Sequence, residues 1–155
     1  MTVHSFNGSE AAGLKLISLM DSFKELFNRM EAGRIGDLNR VYHPQVEFQD
    51  PFTAIHGRHS LAEYFQGAYR NVLSCRFQFG DLTFSGGTCY LPWTMTVCHR
   101  RLRRGHPIVV EGVSQIRVQD GLIVWHRDYF DASRLVYEHV PVLGAAVRWI
   151  RRHAV

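Results

Sequence analysis

The feature that most constrains this chain is a change of hydrophobic period near Arg76. Before it, Leu16, Leu19, Met20, Phe23, Leu26, Phe27 and Met30 recur at three- and four-residue steps, a stripe that an α-helix brings to one face. After it, apolar residues alternate: Phe77 and Phe79, then Leu91, Trp93, Met95 and Val97, then Ile108, Val110, Gly112, Ser114, Ile116 and Val118. Period two is the pattern of half-buried strands. Gly86-Gly87, Gly105 and Asp120-Gly121 separate these runs with turn signals, so successive strands return antiparallel. Helices followed by a meander define an α+β chain. The expected architecture is a cone-shaped curved antiparallel sheet with three N-terminal helices on its concave face and a C-terminal helix.

The first helix is expected to stop near Gly33. Asp37 is placed to cap a short second helix through Leu38, Val41 and Tyr42, which ends near His43 because Pro44 disfavours helical backbone in the residue before it. Val46 to Asp50 alternates as a short strand closed by Pro51. Ser60 and Glu63 have capping-box spacing and open a third helix burying Leu61, Tyr64, Phe65, Ala68, Tyr69 and Val72. The last strand sets Leu122, Val124, His126, Asp128 and Phe130 against Ile123, Trp125, Arg127 and Tyr129. Asp131 caps a closing helix, interrupted near Pro141, that carries Leu143, Val147 and Ile150. Residues 1–12 read as a flexible polar tail and 13–155 as a single domain, since 155 residues supply one core but not two.

Composition removes several function classes. The three cysteines, Cys75, Cys89 and Cys98, are an odd number without C-x-x-C spacing, which fits neither a disulfide framework nor a thiolate zinc site and points to a cytoplasmic protein. The start lacks a basic and apolar leader, and no run approaches the ~20 apolar residues that span a bilayer, so no membrane association is expected. His56 and His59 stand three apart across Gly57 without a clustered carboxylate, so no metal is implied. No G-x-G-x-x-G, P-loop or G-x-S-x-G occurs, and no organic cofactor is expected. Net charge is +4 but unevenly placed: residues 1–75 hold seven Lys/Arg and eight acids, residues 76–155 eleven Arg and six acids. Arginines concentrate at Arg100, Arg101, Arg103 and Arg104 and at Arg148, Arg151 and Arg152. These read as a solvated hairpin tip and a helix end, and no recognition motif accompanies them that would indicate nucleic acid.

The informative residues break an apolar face from within. Ser114 lies in phase with Ile108, Val110, Ile116 and Val118; His126 and Asp128 lie in phase with Leu122, Val124 and Phe130. A carboxylate facing an apolar interior is costly unless paired, and burial favours the neutral form that general acids need. Asp128 is therefore a site candidate, against the alternative of a buried ion pair with His126 or an arginine. His126 alone reads as a core or pocket-wall histidine. Asp50, before Pro51, reads from position alone as a turn cap. Phe48, Phe65, Trp93 and Met95 are core, but in a cone the core is also the pocket wall.

From Met20 to Asp131 the order of elements resembles the SnoaL-like branch of the nuclear-transport-factor-two-like superfamily. The resemblance rests on Gly36-Asp37, the strand Val46 to Pro51, Ile55-His56-Gly57-Arg58, Asp120-Gly121-Leu122-Ile123, and above all Trp125-His126-Arg127-Asp128-Tyr129-Phe130-Asp131. It implies a cone with an apolar pocket, and homodimerisation through the outer sheet face, which would use the apolar Ile123, Trp125 and Tyr129. Asp50 falls where ketosteroid isomerase holds its general base, while Phe27, or a neighbour on the first helix, and Ser114 stand where that enzyme has the tyrosine and protonated aspartic acid of its oxyanion hole. Asp128 matches an aspartate of limonene epoxide hydrolase, but Trp93 to Val97 contain no Arg-x-Asp, and Phe48 and Asp50 replace a tyrosine and an asparagine. SnoaL-type cyclases use an acidic residue in this last-strand region for an intramolecular aldol closure.

The sequence thus points to a SnoaL-like pocket protein acting, if an enzyme, by proton transfer on a small apolar carbonyl or epoxide compound as an isomerase, cyclase or hydrolase. Asp50 and Asp128 would share base and acid roles, with His126 orienting or shuttling and Ser114 donating a hydrogen bond. Phe27, Phe48, Phe65, Trp93, Met95, Val110 and Ser114 would form the pocket. The alternatives are a non-catalytic ligand-binding or dimerisation module and an anion-binding adaptor working through Arg100 to Arg104 and the C-terminal arginines.

Overall fold

The computed structural model describes residues 6–31, 34–135, 149–150 and 152–153. Its elements are helix α1 (Phe6–Arg29), a single 3-10 turn (Leu38–Arg40), strands β1 (Tyr42–Gln49) and β2 (Ala54–His56), helix α2 (Arg58–Tyr69), strands β3 (Val72–Phe79), β4 (Thr83–Ser85), β5 (Thr88–His99), β6 (Ile108–Gln119) and β7 (Leu122–Phe130), and helix α3 (Ala132–Leu135). The seven strands form one sheet in the order β2-β1-β7-β6-β5-β3, with β4 also paired to β5. The α+β architecture is as expected, with one refinement: β1 runs parallel to β7, so the sheet is mixed.

Local chemistry explains the departures from the expected element ends. Helix α1 begins at Phe6, inside the stretch 1–12 that reads as a polar tail, and the stop expected at Gly33 lies outside the described residues. Asp37 does cap the next element, its carboxylate accepting from the Asn39 N–H at 3.0 Å. That element is only a 3-10 turn, because Tyr42 is already committed to pairing with Ile123. Pro44 lies within the register break between Tyr42 and Glu47, where its missing N–H costs no ladder bond. Helix α2 starts two residues before the expected Ser60 cap. Gly57, at φ 91°, turns the chain and its carbonyl takes the Leu61 N–H, so Ser60 and Glu63 form no capping box. Val72, read as the end of that helix, opens β3 instead. Leu143 and Val147 of the expected closing helix lie outside the described residues.

The β6–β7 hairpin closes through Asp120 and Gly121, both at positive φ (53° and 76°), as a two-residue Asp-Gly loop requires. Just beyond it the register shifts: Val118 pairs Ile123 but Arg117 pairs Trp125, leaving Val124 as the extra residue of a β-bulge. A one-residue slip exchanges faces. Ile123, expected on the outer face, is consequently buried in the core beside Val41, Tyr42 and Val46. Trp125 and Tyr129 stay outside, where Arg117 and Arg127 stack on their rings at 4.9 and 4.6 Å.

The concave face of the sheet meets the apolar stripe of α1 (Leu19, Met20, Phe23, Leu26, Phe27, Met30) and Leu61, Phe65 and Tyr69 of α2, all buried. Each such side chain contributes roughly 1.5–3 kcal/mol on leaving water. A second cluster, Trp93, Val97, Ile108 and Val110, packs at the other end of the sheet. Between the two groups the layers do not close.

Candidate active site

That gap is a cavity of about 620 Å³ between the helices and the concave face. Its walls are overwhelmingly aromatic and aliphatic, interrupted by Asp50, Ser114, Asp128 and His99, with the Tyr64 and Tyr69 hydroxyls and the Cys75 thiol also on the lining. Of the residues singled out from the sequence, Phe27, Phe48, Phe65, Trp93, Met95, Ser114, Asp50 and Asp128 line it. Val110 is fully buried behind the wall and does not line the cavity. His126 is likewise fully buried, beneath the lining.

Asp128 is placed by the β6–β7 register, which sets it opposite Ser114 on the inward face. Its Oδ1 accepts the Ser114 hydroxyl at 2.5 Å and lies 2.8 Å from His126 Nε2. Its other oxygen has no hydrogen-bond partner among the described residues. The network continues in both directions. Trp93 Nε1 donates to Ser114 Oγ at 3.0 Å, and the Tyr42 hydroxyl meets His126 Nδ1 at 2.9 Å. Burial, reinforced by the Asp128 charge, pushes the Tyr42 phenol well above its ordinary pKa and keeps it protonated. The arrangement that satisfies every group has Tyr42 donating to Nδ1 and the histidine proton on Nε2, donated to Asp128.

The His126 ring is clamped by Phe48, Phe23 and Phe27, with centroids at 5.0, 5.4 and 6.2 Å, and lies nearly parallel to Tyr42, 5.9 Å away. Enclosed this way it cannot touch a molecule in the cavity. Its position suits it to hold Asp128, not to shuttle protons to a ligand.

Asp50 follows Phe48 in phase and so faces the same chamber, but its oxygens are engaged. Oδ1 accepts the N–H groups of Phe52 (2.8 Å) and Thr53 (3.0 Å), closing the β1–β2 turn. Oδ2 accepts the Tyr64 hydroxyl in a short hydrogen bond. Burial first, then that bond, raises the Tyr64 phenol above its ordinary value. The turn cap read from position and the cavity-facing carboxyl are therefore the same group.

Two polar participants were not singled out from the sequence. Tyr64 counted only as part of the buried face of α2; a tyrosine at helical spacing gives no sign of where its hydroxyl points. His99 was legible in principle, because it continues the inward row Leu91, Trp93, Met95, Val97 at period two, but it stands directly before the arginine run at Arg100 and Arg101, which dominates that stretch.

A curled sheet and its helices around an apolar hollow, with an acidic group held on one wall by buried donors, define a small α+β pocket protein. The chain belongs to the SnoaL-like domain family, which matches residues 23–126. None of the curated proteins matches the sequence. Solved structures similar to it include an NTF2-like protein of unknown function from Burkholderia pseudomallei (TM-score 0.67, 17% identity, covering 79% of this chain and 95% of that one). TsrD from Streptomyces laurentii is similar at TM-score 0.64 and 21% identity, over 85% and 96% of the two chains. An LEH-like epoxide hydrolase from M. tuberculosis is similar at TM-score 0.62 and 17% identity, over 86% and 96%. At these identities the likeness shows the fold. No described helix is long and apolar enough to cross a membrane.

Proposed function

We propose that this protein is an acid/base enzyme for a small, largely apolar carbonyl or epoxide compound, with Asp128 as the group that exchanges a proton with it. The observation that carries this reading is the asymmetry of Asp128: one oxygen held by Ser114 and His126, the other without a described partner, on the wall of an apolar cavity. A carboxyl fixed by buried donors keeps its geometry while its free oxygen does the transfer, a contribution of ~10²–10⁴ in rate. His126 and Tyr42 act as positioning residues through the ring nitrogens. The Asp50–Tyr64 pair is not the base, because both Asp50 oxygens accept hydrogen bonds already and the single Tyr64 proton is given to Asp50.

The test uses 2-tetralone, an apolar ketone with acidic α-protons, and follows its hydrogen–deuterium exchange by NMR in D₂O. The wild type should accelerate exchange, and Asp128→Asn, which still accepts from Ser114 and His126 through Oδ1, should lose about 10²-fold or more of that rate while staying folded. Exchange that is not accelerated, or that is unchanged in Asp128→Asn, overturns the reading; tetralone bound without exchange would make the protein a ligand carrier.

The homodimer implied by the family resemblance draws support from the outer sheet face, where Val109 and Tyr129 are 47% and 43% exposed on the same face as the stacked Arg117–Trp125 pair. Sedimentation equilibrium should give twice the 17.9 kDa chain mass; a monomer at micromolar concentration refutes it. A cytoplasmic location accords with the three free cysteines.

A further inference from the structure

The cavity has two chemically different poles. At one, Asp50, Ser114, Asp128 and Trp93 gather. At the other, His99, Leu102, Val72 and Leu135 form the wall. Ser114 pairs across the sheet with Leu91, and His99 lies eight positions further along β5. That is about 26 Å of strand path at 3.3 Å per residue, shortened as a straight line by the curl of the sheet.

The far pole is built from an unusual turn. After β5 the chain enters a 3-10 segment whose Arg103 and Arg104 hold φ of 45° and 54°, a left-handed conformation that side-chain-bearing residues rarely adopt. The turn brings the Arg101 N–H onto His99 Nδ1 at 3.2 Å. With Nδ1 accepting, the neutral ring carries its proton on Nε2, which has no partner among the described residues. Burial, and secondarily the Arg101 charge, hold the His99 pKa below its ordinary value and so favour that neutral form. Arg101, whose own N–H is bonded to the ring, puts a cationic side chain on the same turn. Arg100, Arg103 and Arg104 follow on the same exposed turn. An anionic group seated against His99 would meet an N–H donor and a cationic field, whereas at the other pole it would face two carboxyl groups.

We propose that the His99 pole is a recognition subsite for an anionic oxygen group, such as a carboxylate, at the end of an apolar substrate remote from Asp128. The subsite fixes which way round an amphiphilic anion enters, placing its apolar body along Phe77, Trp93 and Met95 and its far end at Asp128. This rests on the reading of Asp128 as the reacting group for its functional sense, but its binding consequences stand apart from it.

The experiment is calorimetric titration of the full chain with sodium octanoate and octan-1-ol, which share an apolar stem and differ in the head group. Octanoate should bind about 10-fold more tightly than octanol at low salt, with the gap shrinking in 0.5 M NaCl. His99→Leu and, separately, the exposed Arg101→Ala should each lower octanoate affinity by several fold and leave octanol within 2-fold; Arg101→Ala keeps the test valid should His99→Leu fold poorly. Equal affinity for the two head groups, no octanoate binding, or an equal loss of both ligands in the variants overturns the proposal. Asp128→Asn in the same titrations separates the two readings: octanoate preference retained while tetralone exchange is absent from every form sinks the catalytic reading alone, and exchange at Asp128 without head-group preference sinks this one alone.

Discussion

Replacing Gly112 with alanine tests how the acidic wall is held. Gly112 is the one residue of the inward row of β6 without a side chain, and it pairs with Trp93 across the sheet. The indole lies across the space where a Cβ would stand: a methyl there would come within 2.4 Å of both Cζ2 and Cη2 of Trp93 and 2.8 Å of the Tyr129 carbonyl oxygen. The ring must move by about 1 Å to regain ordinary contact, and the β6 and β7 backbones must part by a few tenths of an ångström at Tyr129 O. Overpacking of this kind costs about 1–3 kcal/mol, offset by about 0.5–1 kcal/mol from the reduced freedom of the unfolded chain. The net expectation is a loss of about 1–2 kcal/mol, which lowers Tm by about 2–8 °C in a domain of this size. The displaced indole also weakens the 3.0 Å bond from Trp93 Nε1 to Ser114, the hydroxyl that holds Asp128. Differential scanning calorimetry measures the first effect. Trp93 fluorescence, in a background with Trp125 and Trp149 replaced by phenylalanine, measures the second. An unchanged or raised Tm together with an unaltered emission spectrum would refute the assignment of Gly112 as the space that seats the indole.

Two further outcomes follow from the same geometry. Tyr42→Phe keeps the ring stack but leaves His126 Nδ1 buried without its partner, so chemical denaturation should show a loss of about 1–3 kcal/mol; a loss below about 0.5 kcal/mol would mean that water or a shifted ring replaces the hydroxyl. Burial pushes the Cys75 thiol up to about 11 and raises the Tyr42, Tyr64 and Tyr69 phenols. Groups whose folded pKa is raised release protons on unfolding, so their contribution is intact below about pH 9 and lost as pH climbs through 9 to 11 and beyond. Urea midpoints should fall steeply across that range, and Cys75→Ala should blunt the onset; a flat profile to pH 11 would contradict it.

The period-two runs make the meander readable because each strand buries one face locally, and the Asp-Gly loop fixes its hairpin with two adjacent residues. Asp128 and Ser114 were legible for the same reason: a polar residue in an apolar row is visible without knowledge of the partner strand. What lay beyond reach depends on contacts distant in the chain. The parallel β1–β7 pairing has no local signal, and neither does the bulge at Val124 that turns Ile123 inward. The Gly57 start of α2 wins over the Ser60–Glu63 spacing because the Gly57 N–H is taken by Val46 O at 2.8 Å, which fixes the entry of the helix from another element. The Tyr64 hydroxyl found Asp50 only because α2 packs over β1.

The hydrogen bond between Tyr42 and His126 joins residues 84 positions apart, across the parallel seam between β1 and β7. Parallel partners cannot zip from a tight turn, and closing so long a loop is entropically slow. The aspartate at 128 therefore acquires its anchored orientation only after segments 84 residues apart have met. Asp128 and the His126 that holds it both lie in the last strand, so the anchored carboxyl is a late product of folding, set only when that strand docks beside the first.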